Sequence, residues 1–490
     1  MPLMSTTPHA RHFIDGVWTD SDAIGESLDP ATGEVLGTFA DGGAPEARAA
    51  VDAARRAFET GDWARDRELR ARALFEMSER MAERRDELVA LLSRENGKIP
   101  AEAALEVDLT ISKIRYYGAL ALTESGRASE VKPGLYSMTL RQPAGVAGVI
   151  APWNSPVILS VRSFAPALAA GATVALKLPA QTALTNSLLF EIVASVKSLP
   201  KGVFNGFTES GSSGARLLVA DPGVDVISYT GSTHVGRSIM AAAASSLKAM
   251  SLELGGKTPM IVFDDADLDA AVPVLTKAIT TFTGQFCMTG SRVLVQRGIA
   301  DELRTRLSAA LEAVRVGPGA DPASEMGPLI DRANADRVER EIADAAEYAE
   351  VLVRGGRITE GPLAAGAFVR PALIEVTGPD SCDRPIVQQE IFGPVATFEV
   401  FDDEADAVAR ANATEFGLAA SVWSRDVDRP LRVGRELDAG TVWANTWAVI
   451  VDQMEEGGFK QSGVGRLNGE RALEEFQEIK HIVHPAPRSF

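Results

Sequence analysis

Val146-Ala147-Gly148-Val149-Ile150-Ala151-Pro152-Trp153-Asn154-Ser155-Pro156 is the stretch on which the reading of the fold turns. Its first five residues are uninterruptedly apolar, and Pro152 and Pro156 close the run. That is the pattern of a short strand buried on both faces, as in a parallel sheet. A helical pattern follows from about Ile158 to Ala170. The strand signal then returns in Thr173-Val174-Ala175-Leu176-Lys177, and a second helix is expected from about Thr185 to Leu199. A third strand, Asp225-Val226-Ile227-Ser228-Tyr229, runs into Thr230-Gly231-Ser232-Thr233-His234-Val235-Gly236, with a helix to about Ser245. Strands alternating with helices in this order define an α/β protein with a doubly wound, Rossmann-like sheet. Ligands of such sheets lie beyond the carboxyl ends of the strands, where Asn154, Lys177 and Gly231 all fall. The Gly231–Gly236 spacing is not the usual dinucleotide fingerprint. Standing between a strand and a helix, it reads either as a phosphate loop or as a plain turn.

Outward from this centre, a second α/β segment starts near Gly255. Its strands are expected at Pro259–Phe263, Arg292–Val295, Val351–Val353, Val395–Val400 and Ala420–Trp423. Helices are expected at Asp301–Val314 and Asn334–Tyr348, and Asp264-Asp265-Ala266-Asp267 should cap a helix. Upstream, His12 to Thr38 reads as strands and turns. Helical patterns cover Pro45–Thr60, Arg65–Glu95 and Pro100–Leu122, and their charges read as solvated faces. Lys132–Arg141 and Ile479–His484 alternate like exposed strands.

At 490 residues the chain exceeds one compact core, so two or three domains are expected. Its formal charge of −18 repels phosphate backbones, which argues against nucleic acid as a partner. The two cysteines, Cys287 and Cys382, make no disulfide framework and fit a reducing cytoplasm. No cysteine or histidine spacing suggests a metal site. The first eleven residues have no apolar core, so no signal peptide is expected. No uncharged apolar run reaches about 18 residues, so no membrane span is expected.

The candidate nucleophile lies in Thr283-Gly284-Gln285-Phe286-Cys287-Met288-Thr289-Gly290-Ser291-Arg292. A free cysteine is by default a small buried hydrophobe. Thiolate attack on a carbonyl also needs an oxyanion stabiliser, a base and an acceptor for the leaving group. The side-chain amide of Asn154 and the backbone N–H of Cys287 suit the oxyanion. Glu253, in Glu253-Leu254-Gly255-Gly256-Lys257, has uncrowded glycine neighbours and suits the base; the other reading of it is a helix cap or surface carboxylate.

Glu253-Leu254-Gly255-Gly256-Lys257, followed 34 residues after its glutamate by the cysteine of Gly284-Gln285-Phe286-Cys287, resembles the paired signature of the aldehyde dehydrogenase superfamily. The resemblance spans almost the whole chain. It includes Pro152-Trp153-Asn154, Thr230-Gly231-Ser232, Glu390-Ile391-Phe392-Gly393-Pro394, Trp443-Ala444-Asn445 and Gly458–Arg466. It implies that Cys287 attacks an aldehyde, that Asn154 and the Cys287 amide hold the oxyanion, that hydride passes to NAD(P)⁺, and that Glu253 activates water to release the acid. It implies cofactor contacts from Trp153, Lys177, Gly231, Ser232, Glu390 and Phe392. It also implies a cofactor domain (1–124 and 144–254), a catalytic domain (255–465) and a small β oligomerisation arm (125–143 and 466–490) that joins subunits into a homodimer or homotetramer. Two other readings stand beside it: a CoA-acylating relative, against which Glu253 argues, and a catalytically silent structural or binding protein on the same fold.

Two departures from the family pattern bear on specificity. Many NAD-using members carry a glutamate where this chain has Ala180, after Lys177-Leu178-Pro179. A carboxylate there would bind the ribose 2′-hydroxyl and repel a 2′-phosphate, so its absence makes NADP⁺ as plausible as NAD⁺. In the substrate tunnel, Ser155 stands where an aromatic is common, Arg162 lies eight residues after Asn154, and Glu455-Glu456 replaces the usual Pro-Phe of a late loop. Arg162 then either recognises a polar or anionic group on a polar, aromatic or semialdehyde-type aldehyde, or pairs with Glu456 to shape the wall. The two glutamates alternatively admit a cationic aminoaldehyde.

Overall fold

A computed structural model describes residues 8–123 and 125–486. The first seven residues, read above as lacking an apolar core, and the last four of the expected arm lie outside it. The stretch Val146–Ile150 is a fully buried strand at the centre of an eight-stranded sheet. The order across that sheet is Gly463–Val464, Ala249–Glu253, Val226–Thr230, Val146–Ile150, Thr173–Pro179, Phe204–Glu209, His12–Ile14, Val17–Thr19. The five strands from Ala249–Glu253 to Phe204–Glu209 run parallel, and the outer ones are antiparallel. The chain moves to one side of Val146–Ile150 for its next two strands and to the other side for the two after that. The topological switch point, where a crevice opens at the carboxyl ends, therefore lies between Val146–Ile150 and Val226–Thr230.

A second sheet has seven strands in the order Glu350–Val353, Ala372–Glu375, Val395–Phe401, Arg292–Gln296, Pro259–Val262, Ala419–Trp423, Thr441–Ala444. All its pairs are parallel except the edge strand Glu350–Val353. A third sheet joins Ala128–Lys132, Leu135–Pro143 and Gln477–Pro485 antiparallel, with Tyr136, Leu140, Ile479, Ile482 and Val483 exposed. Among the described residues no helix is long and apolar enough to cross a membrane.

The α/β, doubly wound expectation holds, with local corrections. Lys132–Arg141 is a hairpin turning at Pro133-Gly134 rather than one strand. The Arg65–Glu95 pattern is two helices, Arg67–Glu83 and Arg85–Glu95, broken at Arg84, whose φ/ψ of −104°/13° leaves the helical well. The helix expected to reach Leu199 stops at Ala194, and a further parallel strand, Phe204–Glu209, follows it. Asn205, Gly206 and Thr208 interrupt the apolar run that would have marked that strand. The charges of the early helices are not all solvated: Arg70, Glu95, Lys98, Glu106 and Lys113 are buried.

The helix Pro156–Ala170, starting directly after Asn154 and Ser155, is buried on nearly every side. A helix apolar all round belongs inside a protein. The one charge it carries, Arg162, is only 3% exposed, so its partners must be found in the interior.

Candidate active site

The loop bearing Cys287 leaves the helix Leu268–Thr280 through a strained turn. Phe282, Thr283 and Gly284 have φ of 52°, 55° and 70°, three consecutive residues in the left-handed region. Two of them carry a Cβ, and such strain persists only where surroundings over-determine it. Those surroundings are visible. Thr283 Oγ1 donates to Gly327 O at 3.0 Å, Thr289 Oγ1 donates to Gly284 O at 3.1 Å, and Gln285 Oε1 accepts from Ile330 N at 2.9 Å. A Cβ on Gly284 would sit 2.2 Å from the Gly393 backbone. Gly256 plays the matching part from the other side, since a Cβ there would lie 2.3 Å from Cys287 O. The motif thus needs Gly256 because it passes directly over the Cys287 backbone, and Gly255 because a Cβ there would lie 2.4 Å from Glu390 Oε2.

Asn154, read as an oxyanion donor, is buried, and its Nδ2 donates to Gln285 O at 2.9 Å. An amide nitrogen has two hydrogens. This bond uses one of them and fixes the group against the Cys287 loop. Glu253 ends the strand Ala249–Glu253 and is 3% exposed, which corrects the reading of it as a cap or surface carboxylate. Its Oε2 lies 4.0 Å from Arg162 Nη1, and its Oε1 has no hydrogen-bond partner. Burial pushes its pKa up to about 8; Arg162 opposes this, Glu456 and Glu475 add to it, and Arg466 opposes it. The half-buried Cys287 thiol is likewise pushed well up by burial, with Arg162 the main opposing charge.

Arg162 and Glu456 face each other: Nη1 donates to Glu456 Oε1 at 2.8 Å, and Nη2 donates to Thr230 Oγ1 at 3.1 Å. Asn468 Nδ2 donates to the other oxygen of Glu456 at 2.7 Å. Of the two readings of this pair, the ion pair is formed. Glu455 points away, its Oε1 accepting from Arg471 N at 3.3 Å. Ser155 accepts from Lys98 Nζ at 3.0 Å, and Lys98 is paired with Glu106. Glu106 also accepts from Val157 N at 2.9 Å, capping the Pro156–Ala170 helix. Lys113 pairs with Asp452 at 2.8 Å.

Lys98, Glu106, Lys113, Asp452 and Asn468 were not singled out in the sequence. A signal existed for two of them: Ala103, Glu106, Val107, Thr110, Lys113, Ile114 and Tyr117 form one buried helical stripe in which two positions are charged. Lys98 stands behind Glu106 and Ser155, and the other four line a cavity of about 400 Å³ that reaches Cys287 and is otherwise lined mainly by Leu105, Ile158, Leu159, Phe282, Phe286 and Trp447.

The residues expected to hold a cofactor lie on several elements: Glu390 and Phe392 beside the Cys287 loop, and Trp153, Lys177, Gly231 and Ser232 at or just beyond the carboxyl ends of the first sheet's strands. Glu390 Oε1 accepts from Gly256 N at 3.2 Å, and burial pushes its pKa up to about 7. The Trp153 and Phe392 rings meet edge to face at 5.5 Å. Phe392 is left-handed, with φ 53°. Gly231 N donates to Glu253 O at 3.0 Å, tying the switch-point strand to the candidate base. Ser232 is the N-cap of the helix Thr233–Ala243, whose start offers amides to an anion. Lys177, on the neighbouring strand Thr173–Pro179, has its pKa pushed down by burial. Among the described residues no cluster of ligating side chains suits a metal ion.

A strained cysteine loop, a buried carboxylate and a helix N-terminus at the switch point accord with the comparisons. The aldehyde dehydrogenase family profile matches residues 18–482, and the chain belongs to the aldehyde dehydrogenase family. It is 37% identical over 475 residues to betaine aldehyde dehydrogenase of Bacillus subtilis (strain 168), covering 96% of each chain. Among solved structures it is similar to betaine aldehyde dehydrogenase of Staphylococcus aureus in complex with NAD⁺, at TM-score 0.94 and 34% identity, covering 98% of this chain and 96% of that one. It is similar also to an apo single-residue mutant of that enzyme carrying a BME-modified cysteine, at TM-score 0.95 and 35% identity, covering 100% of this chain and 97% of that one.

Proposed function

We propose that this protein oxidises an aldehyde to its carboxylic acid with NAD(P)⁺ by covalent catalysis at Cys287. The observation that carries this reading is the convergence of three distant stretches: Asn154 Nδ2 is bonded to Gln285 O in the Cys287 loop, and Glu253 lies 4.0 Å from Arg162, which lines one cavity together with Cys287. The Cys287 Sγ, once deprotonated, bonds to the aldehyde carbon. Asn154 Nδ2 and the Cys287 N–H hold the resulting oxyanion; removal of one such donor typically costs about 10²–10³ in rate. Bound NAD(P)⁺ would supply the acceptor for the hydride lost from this carbon, whose loss leaves a thioester on Sγ. Glu253 then takes a proton from water, whose oxygen attacks the thioester, the C–S bond breaks, and Sγ leaves as the acid is released.

Glu390 and Lys177 are assigned to the cofactor riboses, Gly231 and Ser232 to its pyrophosphate, and Trp153 and Phe392 to the nicotinamide end. Residues 1–124 and 144–254 serve as the cofactor domain, 255–465 as the catalytic domain, and 125–143 with 466–490 as the arm through which copies pair in a cytoplasmic homodimer or homotetramer. The exposed apolar residues of the third sheet support that last assignment.

The substrate is assigned to the aromatic and polar aldehydes. The cavity offers aromatic faces, and its buried charges are already paired with one another. Among the described residues lining it, Lys277 is exposed and has no ion-pair partner, so a semialdehyde carboxylate would meet Lys277 rather than Arg162. A second reading, a cationic aldehyde of the betaine aldehyde kind, draws on the relatives and on the attraction of cations to the faces of Phe282, Phe286 and Trp447. The test is kcat/KM for benzaldehyde, succinic semialdehyde and betaine aldehyde with each cofactor. Benzaldehyde should be preferred, with free acid formed in the absence of CoA. Strict dependence on CoA, or no turnover of any of the three, would overturn the proposal.

A further inference from the structure

Arg162 is held in a way that wall-building alone does not require. One guanidinium nitrogen is bound by Glu456 at 2.8 Å and another by Thr230 at 3.1 Å, and Asn468 fixes the far oxygen of Glu456 at 2.7 Å. Thus anchored, Arg162 stops 4.0 Å short of Glu253 Oε2, outside hydrogen-bond range. Arg162 Nε and Glu253 Oε1 are both buried without a hydrogen-bond partner. Buried polar groups are ordinarily satisfied, and exceptions mark places where something else must come.

We propose that Arg162, tethered by Glu456, is a positioning residue for Glu253: its charge favours the carboxylate form, while the tether stops it from closing a direct salt bridge. A carboxylate bonded directly to arginine would spend its lone pairs there and lose basicity. At 4.0 Å it feels the charge and keeps both oxygens for water. The proposal rests on Glu253 being the base of the proposed reaction.

The charged and titratable groups that face Glu253 are Arg162 on the buried helix, Glu456 and Arg466 on the late loop, Glu475 beyond it, and Cys287. Glu456 and Arg162 act on Glu253 with opposite signs. Loss of the arginine charge should make Glu253 a base only at higher pH. Loss of the Glu456 charge both removes a repulsion and frees Arg162 to close on Glu253, so its titration should fall. A pair whose charges were not felt at Glu253 would move neither.

The experiment needs no cofactor. Cys287 is acylated with p-nitrophenyl acetate, which releases p-nitrophenolate and leaves an acetyl thioester on Sγ. Its hydrolysis is then followed by intact mass across pH for the wild type, Arg162→Met, Glu456→Gln and the double variant. An opposite charge at this range lowers a carboxylate pKa by about 1–3. The midpoint for Arg162→Met should therefore rise by about one pH unit or more, and hydrolysis at pH 8 should slow by about fivefold or more. The midpoint for Glu456→Gln should fall, and the double variant, which removes the pair as a neutral unit, should lie between the two singles. Arg162→Lys, which keeps the charge, should stay nearer the wild type than Arg162→Met does. Equal midpoints for wild type and variants would overturn the role of Arg162. Absence of the acyl adduct on wild-type Cys287 would instead overturn the covalent mechanism on which it rests.

Discussion

Two buried arginine–carboxylate pairs sit in different regions and obey different rules. In the middle of the seven-stranded sheet, Arg292 meets Glu399 through two hydrogen bonds, Nε to Oε1 at 2.9 Å and Nη2 to Oε2 at 2.7 Å, with both side chains fully buried. Thr397 adds a hydrogen bond to Oε1 at 2.7 Å. The pair is forked, planar and closed, the geometry that lets buried charges offset their desolvation. In the cavity wall, Arg162 meets Glu456 through one contact, spreads to Thr230, and leaves Glu253 at 4.0 Å with an unbonded oxygen. The same chemistry is saturated where it holds strands together and unsaturated beside the carboxylate proposed as the base. Substitutions in the first region should therefore cost stability, and those in the second should cost rate.

The largest effect is expected at the centre of the reactive region. Cys287→Ala should lower kcat/KM by about 10⁴-fold or more, as loss of a covalent nucleophile does in other enzymes. Its melting temperature should stay near that of the wild type, because the half-buried thiol only flanks the cluster of Met288, Leu418, Ala419 and Trp443, and alanine keeps the Cβ. Retention of one-tenth of the wild-type rate would place the chemistry elsewhere. The next largest effect belongs to the structural region. Arg292→Met leaves Glu399 buried and unpaired and should destabilise the fold by about 3–5 kcal/mol, read as a shift in denaturant midpoint. The double variant Arg292→Met/Glu399→Leu should recover most of that loss. If Arg292→Met unfolded no more easily than wild type but lost activity, the distinction between the two regions would fail.

The same contrast separates what was legible in the sequence from what was not. Asn154, Glu253 and Cys287 each sit in a short contiguous motif with the glycine or proline that its loop requires, so each was visible in one line of sequence. The doubly wound order was visible because strands and helices alternate locally. The strand Phe204–Glu209 escaped because the buried Asn205 finds a partner in Val174 O, 31 residues away, a hydrogen bond between segments that no local pattern records. The polar frame of the cavity escaped for the same reason: Lys113 finds Asp452 339 residues away, and Arg162 finds Glu456 294 residues away. Only the Arg162–Glu456 pair was weighed in advance, because both positions depart from the family pattern. Whether the pair is closed or left open toward Glu253 depends on distances that side-chain identity does not carry.

The smallest effect is expected at a position that belongs to neither network. Ala180 is half-buried in the turn Ala180–Thr182, directly after the strand Thr173–Pro179 that carries Lys177. On the proposed cofactor assignment its methyl group leaves the adenosine ribose edge without a carboxylate. Ala180→Glu should restore a partner for the 2′-hydroxyl of NAD⁺ and a repulsion for the 2′-phosphate of NADP⁺. The ratio of kcat/KM for NADP⁺ to that for NAD⁺ should fall by about tenfold, roughly 1.4 kcal/mol. Melting temperature and the rate with saturating NAD⁺ should change little, since Ala180 sits only at the edge of the small cluster of Ala10, Phe39, Ala183 and Leu184. The effect should shrink at high ionic strength, because a charge at this half-exposed turn is screened over about 10 Å at 0.1 M salt. A ratio that stayed fixed at low salt would mean that residues other than Ala180 read the ribose, and the sequence argument for NADP⁺ would fall with it.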